Sequence, residues 1–472
     1  MRRLLLLAVA LGLVVSVFLF VFPANLPSVE ASAGAPDRMD MLGQPGPYAV
    51  GFTAFTVVDN SRPGAAGYSH RPIPVYVWYP VDKASITAGA PEALYPLDVL
   101  YQPTLKSASS EWEALGHDRA FQEPVPSSKG PFPLLLVSTG WGPYAWAHIS
   151  IGTRLASHGF VVAVPRHTGD QWYSTDPAGD HIALANWNRP RDISFVLTKL
   201  LERNAAQADR FYRVIAPKLV AAAGWSLGGY ATMALAGGDD TVWDYGLTDP
   251  YSFMDPPIPD DVPHSSTPPD PRFKVIVGLD GANQELRFEE LARVKVPALG
   301  LGEEWDTLAM DPLMTGWQAR QHAAFSGHPS YRVDVAGMNH FSFSDACDGL
   351  AVMDLHGLVT YMGTNDEVRG WVCEGVNPPA VGRAIITRYM LAFLKTQLLG
   401  ETGYQQMFTP GWALTRETGI EFFETEKRSP QSIIGEWPDI SVYFWHQPGI
   451  QHSQANKNVK NNFANRFRPR FR

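Results

Sequence analysis

Ser226 stands between two glycines in Gly224-Trp-Ser-Leu-Gly228, directly after the small apolar run Ala221–Ala223. A serine hydroxyl is a weak nucleophile until a base takes its proton. To react it must also project from the fold where base and substrate can both reach it. A sharp strand-to-helix turn does this, and crowds the backbone so tightly that bulky neighbours would collide. The pentapeptide therefore reads as a nucleophile elbow, with an ordinary tight turn before a helix as the alternative. The context favours the elbow, because a buried-strand pattern precedes it and a small-residue helix, "LGGYATMALAGG", follows. That helix points its first amides at the site, where developing negative charge is stabilised.

Three more parts are needed for acyl transfer, and each has candidates in the required chain order. His340, in "GMNHFSFSD", follows the last strand pattern and suits the base. Two carboxylates suit the acid: Asp280 ends the strand "VIVGLD", and Asp306 follows the next one in "GLGEEWDTLA". Either would fix the imidazole tautomer and stabilise the imidazolium. An oxyanion hole needs the backbone N–H after the nucleophile, that of Leu227, and a second one from the loop after an earlier strand. "STGWGPY" is that loop, its small Gly140 and Gly142 allow close approach, and Trp141 is the candidate second donor. Tyr144, Trp146, Trp172 and Tyr173 are candidates to line an apolar acyl or aryl site, with core packing as the alternative. This chemistry needs neither metal nor cofactor. The spacing of His167, Asp170, Asp180 and His181 matches no usual ligand pattern.

These side chains lie far apart in sequence, so a sheet must bring them to one rim. "YAVGFTAFTVVDN" and "RPIPVYVWYPV" alternate apolar and polar residues and predict paired antiparallel strands. "PFPLLLVS", "FVVAVPRH", "KLVAAAGWS", "FKVIVGLDGA", "VPALGLGEE" and "YRVDVAGMNH" predict buried strands. Between them, "HISIGTRLASHG" and "NRPRDISFVLTKLLERNAA" have helical spacing, and "AVGRAIITRYMLAFLKTQLLG" closes the region as an amphipathic helix. Strands alternating with helices predict an α/β fold with a mostly parallel sheet. Residues 84–130 read as irregular.

The chain has 472 residues, 45% of them apolar and 18% charged, which is ample for a large core. A net charge of -9 leaves no nucleic-acid footprint. Residues 1–33 read as a signal peptide or an N-terminal membrane anchor. Arg2 and Arg3 precede the uncharged apolar run Leu4–Phe22, and Ala31-Ser32-Ala33 offers a cleavage site. That predicts export, as a released protein or one held at a membrane by this segment. The α/β domain spans 34–400, interrupted by a Pro/Asp-rich insertion at about 239–272 and a second at about 344–378. The second holds both cysteines, Cys347 and Cys373, which an oxidising compartment would allow to pair or leave as two thiols. Residues 401–450 read as an extension packed on the domain, with "GIEFFETE" and "ISVYFWHQP" as late strand candidates. Residues 451–472 read as a disordered basic tail.

Taken together, "GPYAVGFTAFTVVDNSRPG", "PFPLLLVSTGWGPY", "LASHGFVVAVPRH", "NRPRDISFVLTKLL", "GWSLGGY", "FKVIVGLDGA" and "NHFSFSD" resemble the plasma-type platelet-activating-factor acetylhydrolase family and its bacterial relatives labelled dienelactone hydrolases. The likeness covers about residues 46–400. It implies an α/β-hydrolase fold and hydrolysis of carboxylic esters, lipid-like or short-acyl. Ser226 matches the family nucleophile, His340 the base, Asp280 the acid, and Trp141 and Leu227 the oxyanion donors. Asp306 instead resembles the acid of bacterial cutinase-like polyester hydrolases, which keeps a polyester or xenobiotic ester open as substrate. The family's His-Gly pair before the oxyanion donor is replaced here by Thr139-Gly140. A non-catalytic binding protein on the same fold is the alternative of another class.

Overall fold

The computed structural model describes residues 38–64, 69–97, 104–142, 145–169, 182–239, 265–283, 286, 288–303, 317–358, 364–374, 376–417 and 419–424. Its strands are β1 (Ala49–Asp59), β2 (Arg71–Val81), β3 (Leu94–Pro96), β4 (Lys106–Ala108), β5 (Ala120–Gln122), β6 (Phe132–Ser138), β7 (Val161–Pro165), β8 (Ile215–Ser226), β9 (Phe273–Gly281), β10 (Ala298–Glu303), β11 (Ser330–Val335) and β12 (Ile420–Glu424). Ten form one sheet in the order β12-β11-β10-β9-β8-β6-β7-β2-β1-β5, and β3 pairs with β4 in a small ribbon.

From β7 across to β11 every pairing is parallel, while β2 runs against both β1 and β7. Eight strands ordered β1-β2-β7-β6-β8-β9-β10-β11, with only the second reversed, make this an α/β-hydrolase fold. Helices cover both faces, which is why the central strands are apolar without alternation. All seven residues of β6 are buried. Leu135 and Val137 pack on one face with the helices Ile149–Ser157 and Pro379–Leu399. Leu134 and Leu136 pack on the other with Ile182–Ala205 and Leu227–Met233. Period-two geometry divides one apolar run between two cores.

Several expectations shift. Residues 84–130 are more regular than they read, since they hold the β3–β4 ribbon and β5, which extends the sheet parallel to β1. The helix expected from Asn188, where a proline suits a first turn, begins instead at Ile182 and carries Pro190 inside it. Sheet and helix packing outweigh the lost N–H. The second insertion folds as the helices Ala346–Leu355 and Asn365–Val372. Cys347 and Cys373 form a disulfide. Of the C-terminal extension, a helix Pro410–Arg416 and β12 belong to the domain, β12 pairing antiparallel with β11. The N-terminal apolar segment, most of the first insertion, "ISVYFWHQP" and the basic tail lie outside the described residues. Among the described residues no helix is long and apolar enough to cross a membrane.

Candidate active site

Ser226 ends β8 and precedes the helix Leu227–Met233 with φ 54° and ψ -125°, a conformation that non-glycine residues seldom adopt. The glycines around it are there for contact. A Cβ on Gly224 would lie 2.0 Å from the Gly228 carbonyl oxygen, and one on Gly228 would lie 2.1 Å from the Ser138 carbonyl oxygen. No side chain fits at either position, so the elbow can close only with this pattern.

His340 opens one helical turn, His340–Phe343, capped by Asn339, whose side chain accepts from the Ser342 amide. Asn339 Nδ2 also donates to the Val372 carbonyl at 3.1 Å, which ties this loop to the disulfide-closed insertion. Asp280, fully buried and with φ 44°, sits at the end of β9. Its Oδ2 lies 2.6 Å from His340 Nδ1. A carboxylate only accepts, so Nδ1 carries the hydrogen and Nε2 is left as the basic nitrogen. The register of β8 on β9 sets Ser226 opposite Gly281, and the Ala282 amide donates to the Ser226 carbonyl at 2.8 Å. Nucleophile and acid candidates therefore occupy the ends of adjacent strands. Asp306, Tyr144, Trp172 and Tyr173 lie outside the described residues, as do Asp170, Asp180 and His181.

The loop after β6 brings Gly140 onto the nucleophile, where a Cβ would fall 3.1 Å from Ser226 Cβ and 2.8 Å from the Trp225 ring. Trp141 follows it, half-buried against the apolar cluster under the elbow helix. Leu227 is the first residue of that helix, where amides have no intrahelical acceptor. Trp146 is buried, its ring 5.9 Å from that of Trp112 and close against Gly349, so it packs the second insertion to the domain.

Reading along the chain missed four features. Trp225, the residue before the nucleophile, donates its indole N–H to the His340 carbonyl at 2.9 Å, with the two rings 5.1 Å apart. Arg189, buried, donates to the carbonyls of Thr139 and Gly140. A second serine–histidine–aspartate set lies beneath that loop: Ser138 Oγ is 3.0 Å from His167 Nε2, and His167 Nδ1 is 3.0 Å from Asp192 Oδ2. Fourth, His117, Asp345 and Asp348 cluster in a buried group of metal-ligand types. There, however, Asp348 Oδ2 already receives both His117 Nε2 at 2.9 Å and the Arg383 guanidinium, the donor pattern of a buried ion network. The only signal for any of these was "NRPRD", which places Arg189 and Asp192 within one helical turn.

A solved structure, the ferulic acid esterase from Streptomyces cinnamoneus, is similar to this chain with a TM-score of 0.49 at 19% identity, over 75% of this chain and 91% of that one. No protein-family model and no curated protein matches the sequence.

Proposed function

We propose that the chain is a serine carboxylic-ester hydrolase that works through an acyl-enzyme. The reading is carried by one observation: a strained serine elbow whose preceding residue, Trp225, packs 5.1 Å from the ring of a histidine whose Nδ1 is held at 2.6 Å by a buried carboxylate. In the proposed cycle His340 Nε2 takes the proton of Ser226 as Oγ bonds to the ester carbonyl carbon. Asp280 stabilises the imidazolium. The Leu227 and Trp141 amides hold the oxyanion, and loss of one such donor typically costs about 2.7–4 kcal/mol of transition-state stabilisation. The tetrahedral adduct collapses, the ester C–O bond breaks, and the proton on His340 passes to the departing alcohol. Water then enters and gives a proton to His340 as its oxygen bonds to the acyl carbon; the acyl-Oγ bond breaks, His340 returns the proton to Ser226 Oγ, and the carboxylic acid leaves.

The resemblance in sequence favours lipid-like or short-acyl esters, and makes Asp280 rather than Asp306 the acid. A disulfide suits an oxidising compartment, which agrees with an exported protein. The test is a series of p-nitrophenyl esters from acetate to dodecanoate. Short-acyl esters should be hydrolysed fastest, and S226A should lose at least about 10⁴-fold in kcat. Absence of turnover in folded wild-type protein on every ester would favour a binding protein. A rate unchanged in S226A would refute the mechanism.

A further inference from the structure

We propose that Arg189 is a positioning residue of the oxyanion hole, its guanidinium gripping the Thr139 and Gly140 carbonyls so that the Trp141 amide faces the ester oxygen. The inference rests on the hydrolase reading above.

Arg189 is 1% exposed and sits in the helix Ile182–Ala205. Nη2 donates to the Gly140 carbonyl at 2.6 Å, Nη1 donates to the Thr139 carbonyl, and Nη1 lies 3.5 Å from Ser138 Oγ. Two successive carbonyls are thus held by two nitrogens of one planar fork, which a lysine ammonium cannot reproduce. In a trans peptide the C=O and the next N–H point in opposite directions. The cis peptides of the described chain are Gly130–Pro131 and His328–Pro329, so the Gly140–Trp141 link is trans. Drawing the Gly140 oxygen toward Arg189 therefore turns the Trp141 N–H the other way. The same loop lies against the nucleophile, because a Cβ on Gly140 would fall 3.1 Å from Ser226 Cβ, which places the turned amide next to Ser226.

The clamp is itself braced. Ser138, the residue before the gripped peptides, is bonded to His167, and His167 to Asp192, whose oxygens also accept from Arg62 and Arg71. A loop that carries Thr139-Gly140 where the resembling family has His-Gly is so fixed from behind by charge-assisted hydrogen bonds.

The test compares R189K and R189M with wild type on an oxo-ester and on the matching thiono-ester, whose C=S accepts amide hydrogen bonds poorly. Wild type should strongly prefer the oxo-ester. R189M should lose about 10²-fold in kcat with KM changed less than about threefold, the size expected for one misdirected oxyanion donor. The oxo-to-thiono preference should fall with it. R189K keeps the charge and decides the case should R189M fail to fold: it too should lose much of the preference. A merely structural role would lower the yield of folded enzyme and leave that ratio alone. Folded variants with wild-type kcat and ratio would overturn the inference and leave the hydrolase reading standing. A wild type without ester turnover would bring down both.

Discussion

Two groups of serine, histidine and aspartate lie by the C-terminal ends of the parallel strands, the proposed catalytic group Ser226, His340 and Asp280 and the hydrogen-bonded chain Ser138–His167–Asp192, and their surroundings differ. In the second, two guanidiniums, Arg62 and Arg71, bind Asp192, and its carboxyl is held well below the usual range although burial alone would raise it. His167 is pushed down to about 4, by burial first and then by Arg189. Its serine hydroxyl is fully buried and turned into the fold. In the first, no guanidinium is bonded to the carboxylate among the described residues: Asp280 Oδ2 meets the imidazole, and Oδ1 has no hydrogen-bond partner among those residues. The histidine stands on a separately capped turn, and the serine is lifted onto a strained elbow. The residue types are identical. What separates the proposed catalytic group from the brace is access and where the carboxylate's charge is compensated.

Substitutions of the two aspartates should break the comparison most sharply. D280N should keep the fold and lose about 10⁴-fold in kcat, because the wrong tautomer faces Ser226. An activity near wild type would return the acid role to Asp306. D192N should instead unfold the protein more easily, by about 3–5 kcal/mol in denaturant titration, because Arg62 and Arg71 lose their buried partner. Folded D192N should retain far more activity than D280N.

Next in size is the disulfide. It closes a separation of 26 residues, for which chain entropy gives about 3.5 kcal/mol. C347S/C373S should be destabilised by about that amount, read by urea titration. It should also lose kcat, because Val372 anchors Asn339 beside His340, the proposed base.

A smaller effect concerns pH. His167 is held below its unfolded value of about 6.5. Its contribution to stability is complete above that pH and is lost as the pH falls toward about 4, where the unfolded chain binds the extra proton. The stability difference between wild type and H167N should therefore shrink on acidification across that window, by at most about 1.4 kcal/mol per pH unit. A difference independent of pH would mean that His167 is not held neutral. The smallest effect is expected of W225F, which removes one indole hydrogen bond to the His340 carbonyl. It should cost about 1 kcal/mol of transition-state stabilisation, a fivefold to tenfold fall in kcat.

The elbow was legible in the sequence because its constraint is local. Glycines two before and two after Ser226 are a signature of backbone collision, and the collisions are seen at Gly224 and Gly228. Chain order singled out His340, which the structure pairs with Asp280, and the central strands were legible from their apolar runs. The acid could not be fixed, because Asp280 and Asp306 each follow a strand, and the choice depends on a distance across 60 residues of chain. Trp225 and Arg189 were invisible for the same reason. Their partners lie 115 and 49 residues away, and nothing in local spacing reports a contact set by strand order. The start of the helix at Ile182 was missed because a proline outweighs its neighbours in a local reading but not in a packed sheet.

The central claim is that Ser226, and not Ser138, is the activated hydroxyl. Wild-type protein should be treated with a fluorophosphonate, digested, and the phosphonylated peptide sequenced by mass spectrometry. One adduct per chain, on the peptide carrying Ser226 and absent from S226A, is the predicted result. An adduct on Ser138, or no adduct in folded and ester-hydrolysing protein, would contradict the account.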